Sequence, residues 1–417
     1  ESDVAMSSKI TSEFIRSIPK TDIHLHLDGS LRIPTLIELA KKDGVKLPSD
    51  TEAGLRELVF KPSYASLPDY LKGFAYTCAV LQNPENLERV ACELAEDNIA
   101  EGVRYIEVRF APQLHCRKGF SMEQVLHAVN QGLDRAKKAH NNTPAVKNGP
   151  DVPFEYGIIA CAMRSFNKNM SPYFAEILNV MSHAPRKDVF AAASLEMARA
   201  AVNLAHHDGL PVVGFDLAGE EAGYPAVAHK AAYQYAHSHF LRKTVHAGEA
   251  YGPESIFQAI TECHANRIGH GTFLFAHEMV KDPDIEDPKA FVHYLAEYIA
   301  SQRITLEVCL TSNLQTTPSI KAVGEHPLRQ MVDHSLSVSI CTDNRLVSGT
   351  SVSQELALAA NGLNLNRRQF RNLVVAGFKG SFFPATYREK RAYVRRVIDR
   401  YEQLEREMLG VTDDSRE

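Results

Sequence analysis

Short apolar runs recur along the chain, each followed by a stretch in which apolar residues return every three or four positions. The runs are 21–27, 104–110 (RYIEVRF), 155–163 (EYGIIACAM), 212–218 (VVGFDLA), 243–248 (KTVHAG), 267–271 (RIGHG), 305–313 (TLEVCLTSN) and 337–343 (SVSICTD). Their length and β-branched content read as strands, while segments such as 86–101 and 254–266 have the spacing of amphipathic helices. Eight strand–helix units with no strong linker predict an α/β fold, a (β/α)8 TIM barrel. A doubly wound open sheet would usually bring a Gly-rich phosphate loop, and the chain has none.

The barrel core is expected over about 20–380, inside one unit spanning 1–417. Extra length falls after the first strand, where 45–100 reads as helical, and in a charged C-terminal helical region of about 381–417. Asn141 to Pro153 reads as a surface loop without function. Within 337–343, Ser337, Ser339, Cys341 and Asp343 share one strand face and Val338, Ile340 and Thr342 the other. The small residues are expected inside the barrel and the branched ones against the helices.

Composition narrows the partners. A chain of 417 residues with 44% hydrophobic and 23% charged content is an ordinary globular one. The net charge of −5 and scattered Lys and Arg give no basis for binding nucleic acid or an anionic membrane. The one dense basic run, beginning at Arg388, reads as a solvated helix face. Seven cysteines without paired short spacing argue against a disulfide framework and against a Cys-x-x-Cys zinc site. With no signal segment before the first strand and no apolar run of membrane-spanning length, a cytoplasmic protein is expected.

The candidate chemistry lies at strand ends. In Thr-Asp22-Ile-His24-Leu-His26-Leu-Asp28, imidazoles and carboxylates occupy alternate positions, so a strand would point them to one face. Two further segments end in polar residues, Val-His246-Ala-Gly-Glu249 and Cys-Thr-Asp343-Asn344. His24, His26, His246 and Asp343 together make a His3Asp set that suits zinc and leaves a position for water, which ionises near neutrality there. Catalysis in this barrel belongs at the C-terminal ends of the strands, where all four fall. Glu249 is placed to donate a proton, and His270, between two glycines, to polarise or deprotonate the water. Taken singly, His270 is by default structural and Glu249 a helix-start acid. The His3Asp set tips both towards catalysis. Asp216 stays open between orienting an imidazole and satisfying a buried strand end.

His24-Leu-His26-Leu-Asp28-Gly-Ser, Asp216-Leu-Ala-Gly219-Glu, His246-Ala-Gly-Glu249, Gly-His270-Gly and Thr-Asp343 occur in the order seen in the adenosine deaminase family, and the chain resembles that family over most of 20–380. The resemblance implies one zinc ion per subunit on His24, His26, His246 and Asp343, with Glu249 protonating purine N1 and His270 orienting or deprotonating the water that adds to C6. It places the Gly219 N–H at N3 and Asp28 at the ribose 5′-hydroxyl. Leu67, Tyr70, Leu71 and Phe74 look like the family's apolar lid. The chain departs where many members carry a second aspartate, having Asn344 instead. An amide donates to N7 without needing a proton, so the contact is expected to survive.

The reaction implied is hydrolysis of an adenine nucleoside, adenosine or deoxyadenosine, to the inosine-type product and ammonia, with a purine nucleoside and water as the only partners. A 5′-modified nucleoside such as aminodeoxyfutalosine or methylthioadenosine is the alternative. Another mononuclear metal amidohydrolase ranks behind these, and a non-catalytic protein on the same scaffold ranks behind too, since no member of the ligand and acid set is missing. The oligomeric state is left open.

Overall fold

The computed structural model describes residues 9–410. Eight parallel strands follow in sequence order: β1 Lys20–His26, β2 Val103–Phe110, β3 Glu155–Met163, β4 Val212–Ala218, β5 Arg242–Ala247, β6 Arg267–His270, β7 Thr305–Val308 and β8 Val338–Ile340. Strand 1 and the segment after β8 close the ring through a parallel bridge between Leu25 and Asp343. There the His26 N–H donates to the Asp343 carbonyl at 2.9 Å, and the Asp343 N–H to the His24 carbonyl at 3.0 Å. The expected (β/α)8 barrel is the architecture found.

Helices cover the strands, so each strand is buried on both faces and reads as nearly continuous apolar sequence. Strand 3 shows this, with Tyr156 to Ala162 all buried. The intervening helices start at side-chain caps. Ser121 and Gln124 form a capping box on Met122–Asn141, and Asn83 caps Pro84–Ala100. The expected helical stretch after β1 resolves into Glu52–Leu58, Leu67–Leu71, Phe74–Val80 and Pro84–Ala100.

Three expectations change. The run 305–313 is a strand only to Val308, and Leu310–Thr316 is a helix, because the Asn313 N–H turns back to the Cys309 carbonyl at 2.9 Å. The run 337–343 is strand only over Val338–Ile340, since Asp343 adopts φ 67° and leaves the ladder for β1. The stretch from Asn141 to Pro153 is not a plain surface loop. It holds a short helix, Pro144–Lys147, buries Val152, and ties Asp151 to Arg104 at 3.0 Å. The basic run at Arg388 opens the helix Tyr387–Leu409 and is the solvated face expected, with Arg388, Arg391, Arg395 and Arg396 exposed, while the opposite face buries Tyr393, Val397, Tyr401 and Leu404 and packs Tyr401 edge-on against Phe14. Residues 411–417 of the expected C-terminal region lie outside the described residues.

The barrel interior is not lined only with small residues. Ser339 and Cys341 do share a face, with Cys341 Sγ 3.9 Å from Ser339 Oγ. Beside them, however, lie the charged side chains Glu107, Arg109, Asp216, Arg267 and Glu307, all buried. Among the described residues no helix is long and apolar enough to cross a membrane.

Candidate metal centre and active site

The four predicted ligands come from three places on the barrel rim, the end of β1, the end of β5 and the turn after β8. His24 and His26 point the same way because they are two apart on β1, and His246 is the penultimate residue of β5. Asp343 follows β8 in a left-handed conformation that side chains rarely adopt, as does His270 at φ 69°. Such backbone strain persists only where the surroundings enforce it, and it gathers at functional sites.

Ligand atoms of His24, His26, His246 and Asp343 all lie within 4.8 Å of one another. The Nε2 atoms of His24 and His26 are each 3.2 Å from Asp343 Oδ1, close to the edge of a tetrahedron around zinc. His24 Nε2 is buried and has no hydrogen-bond partner, which fits an atom meant for a cation. A second grouping, His24, His270, Cys309 and Asp343, is equally compact. Burial and the nearby Asp343 push its Cys309 thiol well above its usual range, which raises the cost of the thiolate a metal would need.

What lies behind the imidazoles favours the His3Asp set. His24 Nδ1 is 2.9 Å from Glu307 Oε1, and His246 Nδ1 is 2.8 Å from Asp216 Oδ2, so both rings turn Nε2 towards the cluster. Asp216, left open by its sequence context, therefore orients an imidazole. Burial alone would raise both carboxyls. The Arg109 and Arg267 guanidiniums hold Glu307 well below the carboxylate range, and His246 with Arg109 does the same for Asp216. Arg109 bridges Asp216 at 2.9 Å and Glu307 at 3.1 Å, while Arg267 joins Glu307 and Glu107, each at 2.7 Å. Burial drives His246 down to about 3 against the pull of Asp216, leaving a neutral imidazole able to bind a metal. Burial would raise Asp343 too, but the His24 and His26 contacts hold it far lower.

His26, His246 and Asp343 of the cluster line a cavity of about 850 Å³, with His24 buried beside them. Glu249 and His270 stand on its wall with His270 Nε2 3.1 Å from Glu249 Oε2. Burial, then Asp343 and Glu221, lift Glu249 to about 8, so it holds a proton at neutral pH. Glu221 also shapes the loop that carries Glu249, accepting from the N–H groups of Gly248, Glu249 and Ala250 at 3.0–3.2 Å and from Ser255 Oγ at 2.7 Å.

Asp28, Gly219, Asn344, Leu67, Tyr70, Leu71 and Phe74 line the same cavity. Gly219 has φ +103°, which a side chain would strain. Asn344 Nδ2 donates to Tyr70 Oη at 3.0 Å, which commits one of two amide protons. Its Oδ1 rests against Gly29, where an added Cβ would lie 1.8 Å away. Tyr70 Oη also meets Ser348 Oγ at 2.6 Å, so the short helix Leu67–Leu71 is pinned to the turn after β8. Asp22, which shares the His24 face in sequence, is not in the cluster. It is fully buried and bonded to the Thr342 hydroxyl and N–H.

Sequence reasoning missed Glu307, Arg109, Arg267, Glu221, Ser312 and Asn313. A signal existed for the first three, since a charged residue inside an apolar strand run needs a buried partner. None marked Ser312, whose hydroxyl donates to Asp343 Oδ2 at 2.8 Å, because that segment read as strand.

Comparison with known proteins agrees with the geometry. A family model described as adenosine deaminase matches residues 19–400. An adenosine deaminase of Mycolicibacterium vanbaalenii is 35% identical over 396 residues, covering 94% of this chain and 98% of that one. Adenosine deaminase 1 of Streptomyces coelicolor is 36% identical over 411 residues, covering 97% and 92%. Among solved structures, the Arabidopsis N6-mAMP deaminase superposes with TM-score 0.69 at 26% identity, covering 93% of this chain and 99% of that one.

Proposed function

This chain belongs to the adenosine deaminase family of hydrolases, and from that premise we propose that it deaminates adenosine or deoxyadenosine with one zinc ion per subunit on His24, His26, His246 and Asp343. The observation that carries the reading is the meeting of that buried His3Asp cluster with the buried Glu249 carboxyl and with His270 on one cavity wall. When bound, zinc would supply a water acidic enough to ionise near neutrality.

The protein's own groups do the rest. Glu249 donates its proton to purine N1, which makes C6 electron-poor and open to attack. His270 holds the attacking water or takes its proton. The Gly219 N–H meets N3, the uncommitted Asn344 amide proton meets N7, and Asp28 accepts the ribose 5′-hydroxyl. Leu67, Tyr70, Leu71 and Phe74 cover the apolar faces of the nucleoside, excluding bulk water. Loss of ammonia from C6 gives the inosine-type product. The barrel core and the C-terminal helix serve as one catalytic unit, and seven unpaired cysteines suit a cytoplasmic setting.

A nucleoside is favoured over a nucleotide. Apart from histidines, Lys168 is the one basic residue lining the cavity among the described residues, whereas Asp28 is buried in it. The cavity exceeds what adenosine needs, which keeps a 5′-modified nucleoside as the second reading. The test is to incubate zinc-loaded protein with adenosine, deoxyadenosine, methylthioadenosine, aminodeoxyfutalosine, adenine and AMP and follow the ultraviolet change from amino- to oxopurine. Conversion of adenosine and deoxyadenosine is expected. Conversion of none removes the assignment, and preference for a 5′-modified substrate selects the second reading.

A further inference from the structure

Behind His270, on the side away from the cavity, three buried groups make a line of hydrogen bonds. The backbone N–H of Leu328 donates to His326 Nδ1 at 3.0 Å. His326 Nε2 is 2.9 Å from Asn313 Oδ1, and Asn313 Nδ2 is 3.2 Å from His270 Nδ1. His270, His326 and Asn313 are all at most 2% exposed, so water does not compete for these bonds.

The direction of the line is set at its far end. A peptide N–H can only donate, so His326 Nδ1 must accept, and a neutral His326 carries its proton on Nε2. That proton goes to Asn313 Oδ1, which orients the amide. The Asn313 N–H then donates to His270 Nδ1, and His270 keeps its own proton on Nε2. Nε2 is the nitrogen that faces Glu249 Oε2 at 3.1 Å and Asp343 Oδ2 at 3.9 Å.

We propose that Asn313 and His326 are positioning residues that lock His270 in the Nε2–H tautomer, so that His270 donates a hydrogen bond to the attacking water and does not act as its base. The role assigned to His270 rests on the deaminase reading; the tautomer does not. Burial lowers the pKa of His326 to about 4, which keeps the far end of the line neutral at working pH. The arrangement also serves Glu249. Without substrate the same Nε2–H rests on one Glu249 oxygen, which puts the carboxyl proton on the other oxygen, and it is free to turn to the water once Glu249 engages the purine. With zinc bound, the water would lose its first proton to solvent, and the second, carried on the C6 hydroxyl, would leave with the amine as ammonia, so the reaction would need no base at His270.

The experiment is 15N NMR of the zinc-loaded full chain labelled at histidine, with the His270 signals identified by their loss in His270→Gln. A pyridine-type Nδ1 and a pyrrole-type Nε2 are expected. A protonated Nδ1 in the wild type overturns the proposal whatever the variants do. Asn313→Asp, whose carboxylate only accepts, should move the proton to Nδ1 and lower kcat at least about tenfold, with KM for adenosine within about twofold. Should that variant fail to fold, as judged by melting temperature and zinc content, His326→Ala takes its place and should disturb the His270 Nδ1 signal and kcat together. A normal His270 spectrum in a folded variant rejects the relay. Since the spectra need no substrate, failure of the deaminase assignment would leave them unchanged and is told apart by the substrate panel.

Discussion

His270 Nε2 and Glu249 Oε2 lie 3.1 Å apart, with the carboxyl raised to about 8 chiefly by its own burial. An acid that keeps its proton at neutral pH can supply it to a ring nitrogen, and an amide in its place cannot. Glu249→Gln is therefore expected to bind nucleoside and zinc normally while kcat falls by about 10²- to 10⁴-fold. Steady-state kinetics beside a zinc assay would check it; kcat within tenfold of wild type would falsify the acid role.

The same burial makes Glu249 a pH-dependent liability in the metal-free protein. Between the ordinary glutamate value and about 8 the folded chain holds a proton that the unfolded chain has lost, so stability falls as pH rises through that window. Replacement by Gln removes the effect. Melting temperatures of metal-free wild type and Glu249→Gln should agree best near pH 4.5 and diverge towards pH 8, with the variant higher. Parallel curves across that range contradict the assignment of the buried proton to Glu249.

Asp216 stands 2.8 Å from His246 Nδ1, and Arg109 ties it to Glu307 behind His24. Losing one such carboxylate frees a ligand ring and leaves Arg109 short of a partner in a buried network. Asp216→Asn should weaken zinc binding about 10- to 100-fold, measured by competition with a chromogenic chelator. Wild-type affinity in the variant would mean that the imidazole is held by packing alone.

Chelation of the metal should abolish deamination and lower the melting temperature, and added zinc should restore both. Metal affinity should also fall as the imidazoles and the carboxylate are protonated in acid. Activity that survives complete removal of bound metal, verified by elemental analysis, would exclude a metal-dependent reaction.

Asn344 joins the base-recognition surface to the lid through Tyr70. Asn344→Leu should raise KM or lower kcat for adenosine by about two- to tenfold, the range for one neutral hydrogen bond. Tyr70→Phe should give a smaller loss of the same kind by freeing the amide. Unchanged kinetics in Asn344→Leu would reject the N7 contact.

The sequence by itself determined the barrel and most of the site, because both are written in local periodicity. Apolar runs separated by helical stretches count the eight strands, and polar residues ending those runs must sit on the rim, as His26, His246, Glu249, His270 and Asp343 do. Tertiary structure decided what depends on contacts between distant segments. Only folding brings Glu307 behind His24 and Asp216 behind His246, and only the early end of β7 turns Ser312 towards Asp343 and Asn313 towards His270. Pattern reveals which residues are buried or turned to one side. Which buried charge meets which depends on register and strand order around a closed ring, and alternation along a single strand does not encode that.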